Sequence, residues 1–257
     1  MNLIQIFDET LEITRNDPRI AAQTAASIQS TVIHDPGFSS PLRKVKQETC
    51  AIQVVAGSTF DTARAMGEGK TAVLNFANPN LPGGGVVDGA RAQEEALCRC
   101  SNLYDVLNTE TAEESFYLWH RLQMNRLFSD KVIYSPDICI IRSDDLDMLD
   151  TPCLLDVLTC AAPYNIPPRE EEELKPVYES RVANILETAM AHDVDTIVLG
   201  AFGCGAFFNP PELMAEAFRH VLIDRQYALY FKKVIFAIYC QSPSDRNLTV
   251  FRQTLIG

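Results

Sequence analysis

Between Asn2 and Ile33 apolar residues recur at helical spacing, and Pro18 interrupts the run, so two helices are predicted there. "HDPGFSSP", residues 34–41, reads as a loop. From Thr49 onward the chain alternates between short apolar runs and amphipathic stretches. "CAIQVVAG" (50–57) predicts a strand, "TFDTARAMGE" (59–68) a helix opening at Thr59, and "TAVLNFAN" (71–78) a buried strand. "ARAQEEALCRCSNLYDVL" (90–107) has helical periodicity, as has "AEESFYLWHRLQMNRLF" (112–128). "VIYSPDICIIR" (132–142) predicts two short strands around Ser135 and Pro136, and "LLDVLTCAAP" (154–163) another strand. A long helix follows at 171–192, with Pro176 tolerated only if it falls in the first turns. "DTIVLGAF", "PPELMAEAFRHVLI", "KKVIFAIY" and "DRNLTVFRQTL" close the chain as strand, helix, strand and helix.

Alternation of this kind predicts an α/β fold with a mixed, largely parallel sheet and helices on both faces. Ligands then sit beyond the carboxyl ends of strands. Two glycine-rich loops fall there: Gly83, Gly84 and Gly85 after the strand ending near Asn78, and "GAFGCGAFFNPPE" (200–212) after "DTIVL". Glycine lets a ligand approach main-chain amides closely, so both loops are candidate phosphate cradles as well as simple tight turns. Neither matches the dinucleotide fingerprint, and the Walker lysine is missing. Hydride transfer and nucleotide hydrolysis are unsupported. Phe207 and Phe208 stand side by side in the second loop; one suits packing, the other a ribose or base.

Composition narrows the class. The chain has 257 residues with 47% apolar content and no linker or repeat, which predicts one domain, residues 1–48 being a helical extension on an α/β core of 49–257. Eight irregularly spaced cysteines read as reduced thiols, and the acidic start lacks the marks of an export signal. A cytoplasmic protein with no membrane partner is expected. The net charge of -12 argues against a stable nucleic-acid partner, and an anionic ligand must be held locally. The acidic run 170–173 suits a solvated helix start.

Glu94 and Glu95 are successive positions on a helix expected to start at Asp88, so they project about 100° apart and cannot share one job. Elsewhere a Gln-Glu-Glu triplet would be solvated surface; its place just beyond three glycines favours a site. If one carboxylate faces a scissile bond, the other can hold neighbouring hydroxyls. General acid catalysis asks for a pKa raised by burial and adjacent negative charge.

"GGGVVDGARAQEE" resembles the signature of the poly(ADP-ribose) glycohydrolases, and "LNFAN", "LCRCSNLY", "LTCAAPYN" and "GAFGCGAFFN" resemble segments of its compact bacterial branch. The stretch is also similar to the wider macrodomain pattern. The resemblance implies a three-layer macrodomain-like fold with added amino-terminal helices, hydrolysing ribose-ribose O-glycosidic bonds in poly(ADP-ribose) to ADP-ribose. It implies Glu95 as acid and base, Glu94 as the holder of ribose hydroxyls, and Asn78 and Gln93 in support. It puts the diphosphate on Gly83, Gly84, Gly85 and the amides of Gly203, Cys204, Gly205, Ala206 and Phe207, with Phe207 against the ribose and Asn209 ending the loop. Neither cofactor nor metal is implied. Substrates would be the polymer or an ADP-ribosylated protein, and the enzyme a monomer. Ser58 stands where macrodomains carry an adenine-binding Asp, which turns attention to Asp61 or to main-chain groups.

Two other functions compete: a non-catalytic ADP-ribose reader, which has no need of the Gln-Glu-Glu acid, and a mono-ADP-ribosyl hydrolase, kept open by Asp88. His34, His120, His192 and His220 show no metal-ligand spacing and read as surface or satisfied residues. Cys204 has no histidine partner in view and reads as close packing; Phe116, Tyr117 and Trp119 read as core.

Overall fold

Asp17 explains the break at Pro18. Its carboxylate accepts the Arg19 and Ile20 amides and so caps a new helix in which the proline takes the first turn. In the computed structural model, which describes residues 2–37, 48–240, 242 and 244–257, helix α1 (Leu3–Asn16) is therefore followed directly by α2 (Pro18–Ser30). After them come β1 (Val32–His34), β2 (Ala51–Ala56), α3 (Thr59–Met66), β3 (Thr71–Phe76), α4 (Gln93–Cys100) and α5 (Leu103–Leu107). α6 (Glu110–Ala112) runs through a wide-turned segment, Glu113–Leu118, into α7 (Trp119–Gln123). β4 (Val132–Arg142), β5 (Met148–Cys160), α8 (Glu171–Ala191), β6 (Thr196–Leu199), α9 (Pro211–Arg219), β7 (Lys233–Ile238) and α10 (Arg246–Leu255) complete the described chain. The expected loop at 34–41 lies outside the described residues from Phe38 on.

Seven of these strands form one sheet in the order β1-β4-β5-β3-β6-β7-β2. The five on the β5 to β2 side are parallel, while β1, β4 and β5 pair antiparallel, so the sheet is mixed as expected. Side chains alternate between two cores. Leu74, Phe236 and Ile238 pack with α8, α9 and α10, whereas Val73, Ile235 and Ala237 pack on the other face with Phe7, Phe60, Leu97 and Phe116. That division gives three layers.

Two expectations need correction. "VIYSPDICIIR" is one strand, not two: its pairing with β5 shifts between Ser135 and Ile138, a bulge that absorbs Pro136 and the left-handed Asp137 (φ 54°) without ending the ladder. The periodic stretch 90–107 is two helices, broken where Ser101 bridges Ile140 of β4. Pro176 lies at the sixth position of α8, within its first two turns, as the long helix requires.

α1 bears on the site. Its Thr10 hydroxyl donates to the Arg99 carbonyl at the end of α4 at 2.7 Å, and Phe7 meets Tyr104 edge-on, ring centres 5.1 Å apart. The amino-terminal segment thus braces the helix that carries the glutamate pair.

Candidate active site

β3 pairs with β6 only as far as Val73. Beyond it Ala77 still donates to Cys160 of β5, so the Leu74 carbonyl and Phe76 amide, on the opposite side of the strand, face an opening in the sheet. Gln93 fills that opening. Its side-chain oxygen accepts the Phe76 amide at 2.8 Å, and its nitrogen donates to Leu74 O at 2.7 Å and to the Thr59 hydroxyl at 3.1 Å. α4 starts at this residue rather than at Asp88, which belongs to a separate short turn, Val86–Asp88. Glu94 and Glu95 therefore occupy the first turn of the helix, directly behind a fixed anchor.

Both carboxylates are buried, Glu94 at 2% exposure and Glu95 at 7%. Glu94 accepts the Asn78 amide at 2.6 Å and the Asn75 side-chain amide at 3.2 Å. Burial nonetheless pushes its pKa up to about 8, with the charge of Glu95 adding to the rise and these hydrogen bonds opposing it. The Asn75 side-chain oxygen is buried without a partner. With that amide turned over, a proton on Glu94 would satisfy the orphan oxygen. Glu95 accepts the Gly85 amide at 2.9 Å through Oε1, and its Oε2 is buried and unpartnered. The two carboxylates converge on Gly84, where an added Cβ would stand 2.4 Å from one and 3.2 Å from the other.

A cleft of about 620 Å³ opens over this pair, lined among others by Asn78, Gln93, Glu94, Glu95, Gly203, Gly205, Ala206 and Phe207. It is ample for a nucleotide-sized ligand. Gly83, Gly84, Gly85, Cys204 and Asn209 do not line it. The triple glycine packs instead against Tyr104, Cys98 and the glutamates, and its left-handed Gly83 and Gly84 (φ 68° and 57°) let the turn close there. In the second loop the amides of Gly203, Gly205, Ala206 and Phe207 find no main-chain acceptor among the described residues, while Cys204 and Phe208 donate to Ala201 and Gly205. Four amides of this one loop are thus left without a main-chain acceptor among the described residues.

Asn209 holds the loop from beneath. Its amide donates to Pro163 O and Gly203 O and accepts from Tyr178, and a Cβ on Gly203 would strike it at 2.3 Å. The Cys204 thiol donates to Phe202 O, and burial pushes its pKa up to about 12, so it is a packing group. Phe207 lines the cleft with its ring edge-on to Tyr164 at 5.7 Å.

At the far side of the cleft Ser58 and Asp144 line the wall and Asp61 does not. Asp144 accepts the Asp61 amide at 2.9 Å, and Asp61 in return accepts the Asp144 amide at 3.1 Å and pairs with Arg64. Burial raises the Asp144 pKa against hydrogen bonds from Ser58 and Asp61. Asn75, Asp144, Arg91 and Tyr239 are site residues the sequence reading missed. Asn75, inside "LNFAN", and Arg91, inside "GGGVVDGARAQEE", lay in stretches already singled out.

Of the histidines, His120 is buried between Phe116 O and the Ser129 hydroxyl, its pKa pushed down to about 4 by burial. His34 and His192 meet ring nitrogen to ring nitrogen at 2.8 Å, a contact spacing could not foresee. Trp119 is half-buried beneath the Lys131 ammonium rather than in the core, unlike Phe116 and Tyr117. Among the described residues there is no group of three or more side chains able to hold a metal ion, and no helix is long and apolar enough to cross a membrane.

A three-layer arrangement with a nucleotide-sized cleft at its strand ends, a loop of free main-chain amides on one side and buried carboxylates on the other, defines a macrodomain-like fold. Residues 4–143 match the family described as the microbial-type PARG (poly(ADP-ribose) glycohydrolase) catalytic domain, and the chain belongs to that family. It is similar to the crystal structure of poly(ADP-ribose) glycohydrolase from Thermomonospora curvata, with 33% identity, 98% of each chain covered and a TM-score of 0.88. The form of that enzyme bound to the inhibitor ADP-HPD gives 33% identity over 98% of each chain and a TM-score of 0.84. The Deinococcus radiodurans glycohydrolase in complex with ADP-ribose gives 31% identity, 91% of this chain and 97% of that chain covered, and a TM-score of 0.80. No match is found among the curated proteins.

Proposed function

We propose that this chain hydrolyses the ribose-ribose O-glycosidic bonds of poly(ADP-ribose), releasing ADP-ribose, with Glu95 as both general acid and general base. The observation that carries this reading is the Glu95 Oε2 atom, buried, without a partner and on the wall of the cleft, beside a second carboxyl whose pKa is near 8. Glu94 therefore holds a proton at neutral pH. Glu95, as the acid, gives a proton to the departing ribose oxygen as the glycosidic bond breaks, and the sugar carbon passes through an oxocarbenium-like state. Water then adds to that carbon while the Glu95 carboxylate takes the water's proton. Adjacent residues of one helix turn cannot flank a sugar from opposite faces, so a single carboxyl does both transfers.

Glu94 orients the ribose hydroxyls, and Asn78 and Gln93 hold the carboxylates in register. The free amides of Gly203, Gly205, Ala206 and Phe207 suit the diphosphate, and the Phe207 ring the ribose between. Gly83, Gly84 and Gly85 act by letting the glutamates approach, since the Gly85 amide is already taken. Asp144, with Ser58, suits the purine end better than Asp61, which is turned toward Arg64. Asp88 is exposed and off the cleft, which weighs against a mono-ADP-ribosyl hydrolase.

The reading treats the whole chain as one domain, because β1 completes the sheet that carries the cleft. It also takes the enzyme as a cytoplasmic monomer, in keeping with eight free cysteines. Digestion of the polymer by the wild type and by Glu95→Gln is the test. Free ADP-ribose should appear only with the wild type, while both bind ADP-ribose; equal release by the two would remove Glu95 from the mechanism.

A further inference from the structure

We propose that Phe208, Tyr164 and Arg126 form a second nucleotide subsite just outside the cleft, a stacking platform for the unit of the polymer next to the one being cut. The inference rests on the reading above for the identity of the polymer, and on the following geometry for the site.

Phe208 is 57% exposed and holds a left-handed backbone at φ 60°. Its amide donates to Gly205 O at 3.0 Å, closing a turn that glycine or asparagine would make without strain. A lone exposed apolar side chain asks for no function. Here exposure coincides with backbone strain, and strain of this kind gathers at ligand-binding positions. The neighbours supply the rest. Tyr164 stands edge-on to Phe207 at 5.7 Å and to Phe208 at 6.2 Å, so it joins the ring on the cleft wall to the ring outside it. The exposed Arg126 guanidinium lies 5.7 Å from the Tyr164 ring centre. The Tyr164 amide donates to Arg126 O at 2.8 Å, and the Arg126 side chain to Ile166 O at 2.9 Å, which fixes the cation over the ring.

An aromatic shelf with an arginine beside it matches a ligand that offers a purine face and a phosphate charge together. In a chain of net charge -12, attraction of a polyanion has to be local, and this cation adjoins the loop that carries the free amides.

Binding is measured in the Glu95→Gln background, where the ligand survives, using ADP-ribose and a defined oligomer of several units. Phe208→Asn and Arg126→Gln are compared with the parent; asparagine accepts the left-handed backbone, so the loop keeps its fold. Each variant should weaken oligomer binding at least about fivefold, the lower end for one lost base stack, and leave ADP-ribose binding unchanged. Three results overturn the platform: unchanged oligomer binding, an equal loss for both ligands, or a parent that binds the oligomer no more tightly than ADP-ribose. Release of ADP-ribose with Glu95 intact is scored separately, so a chain that binds oligomer through the platform but cuts nothing defeats only the glycohydrolase reading.

Discussion

The Gln93 side chain continues the ladder of β3 where β6 leaves it, accepting the Phe76 amide and donating to the Leu74 carbonyl. One side chain replaces a missing strand and sets the register of the glutamates behind it.

Gln93→Ala would strand both main-chain groups in a largely buried position. Each lost partner costs about 1–3 kcal/mol, so urea unfolding should show a loss of roughly 2–6 kcal/mol. Turnover should fall more than ADP-ribose binding, because the loop proposed for the diphosphate is held separately by Asn209. Equal losses in both would mean that Gln93 acts on the fold alone.

The Glu94 carboxyl carries a stability signature. Its folded pKa, about 8, lies above its ordinary value of 4.5, so the native state binds the extra proton between those limits. Stability is then greatest below pH 4.5 as far as this group is concerned, declines as pH rises toward 8, by up to about 1.4 kcal/mol per unit, and is lost in full above that. Glu94→Gln removes the titration, and the turned Asn75 amide can accept from the new group. Unfolding curves at pH 6 and pH 9 should diverge for the wild type and lie closer together for the variant, which should be the more stable of the two at pH 9. Wild-type turnover should also fall through pH 8 as Glu94 gives up its proton.

Two glycines separate packing from binding. Gly84→Ala places a methyl 2.4 Å from the Glu95 carboxylate at a left-handed position, so activity should vanish, with roughly 1–2 kcal/mol of destabilisation. At Gly205 an added methyl meets nothing within 4 Å, and the residue lines the cleft. Gly205→Ala should keep its melting temperature while binding ADP-ribose more weakly. An equal loss of stability at both sites would contradict this division.

Asp144 closes the amino-terminal turn of α3 from outside, since the Ser58 hydroxyl caps nothing in its own helix. Asp144→Ala should cost about 0.5–2 kcal/mol, the range for a lost cap. If its carboxylate also receives the purine amine, the preference for ADP-ribose over the hypoxanthine analogue should shrink in the variant. An unchanged ratio in titration calorimetry would confine Asp144 to its capping role.

Much of the site was legible because its chemistry is local in the chain. Gln93, Glu94 and Glu95 sit together beyond three glycines, and Gly203, Gly205, Ala206 and Phe207 follow a strand end, so residue type and order pointed to these parts of the cleft wall. What each does was less legible. The glycines 83–85 looked like a phosphate cradle, yet they serve the carboxylates, because which side a turn faces depends on the packing of Tyr104 and Cys98 around it. Asp144 was out of reach, since it comes to α3 from a hairpin more than eighty positions along the chain.

Alternation of apolar runs determined the strands, the helices and the three layers, because burial on two faces of a sheet imposes a period that survives in one dimension. Caps such as Asp17 were written there too, since their hydrogen bonds reach only two or three residues. The sheet opening between β3 and β6, the convergence of two carboxylates on Gly84 and the row from Phe207 to Phe208 were decided by the tertiary structure alone. Each depends on distances between segments far apart in the chain, and a linear pattern carries no such distance.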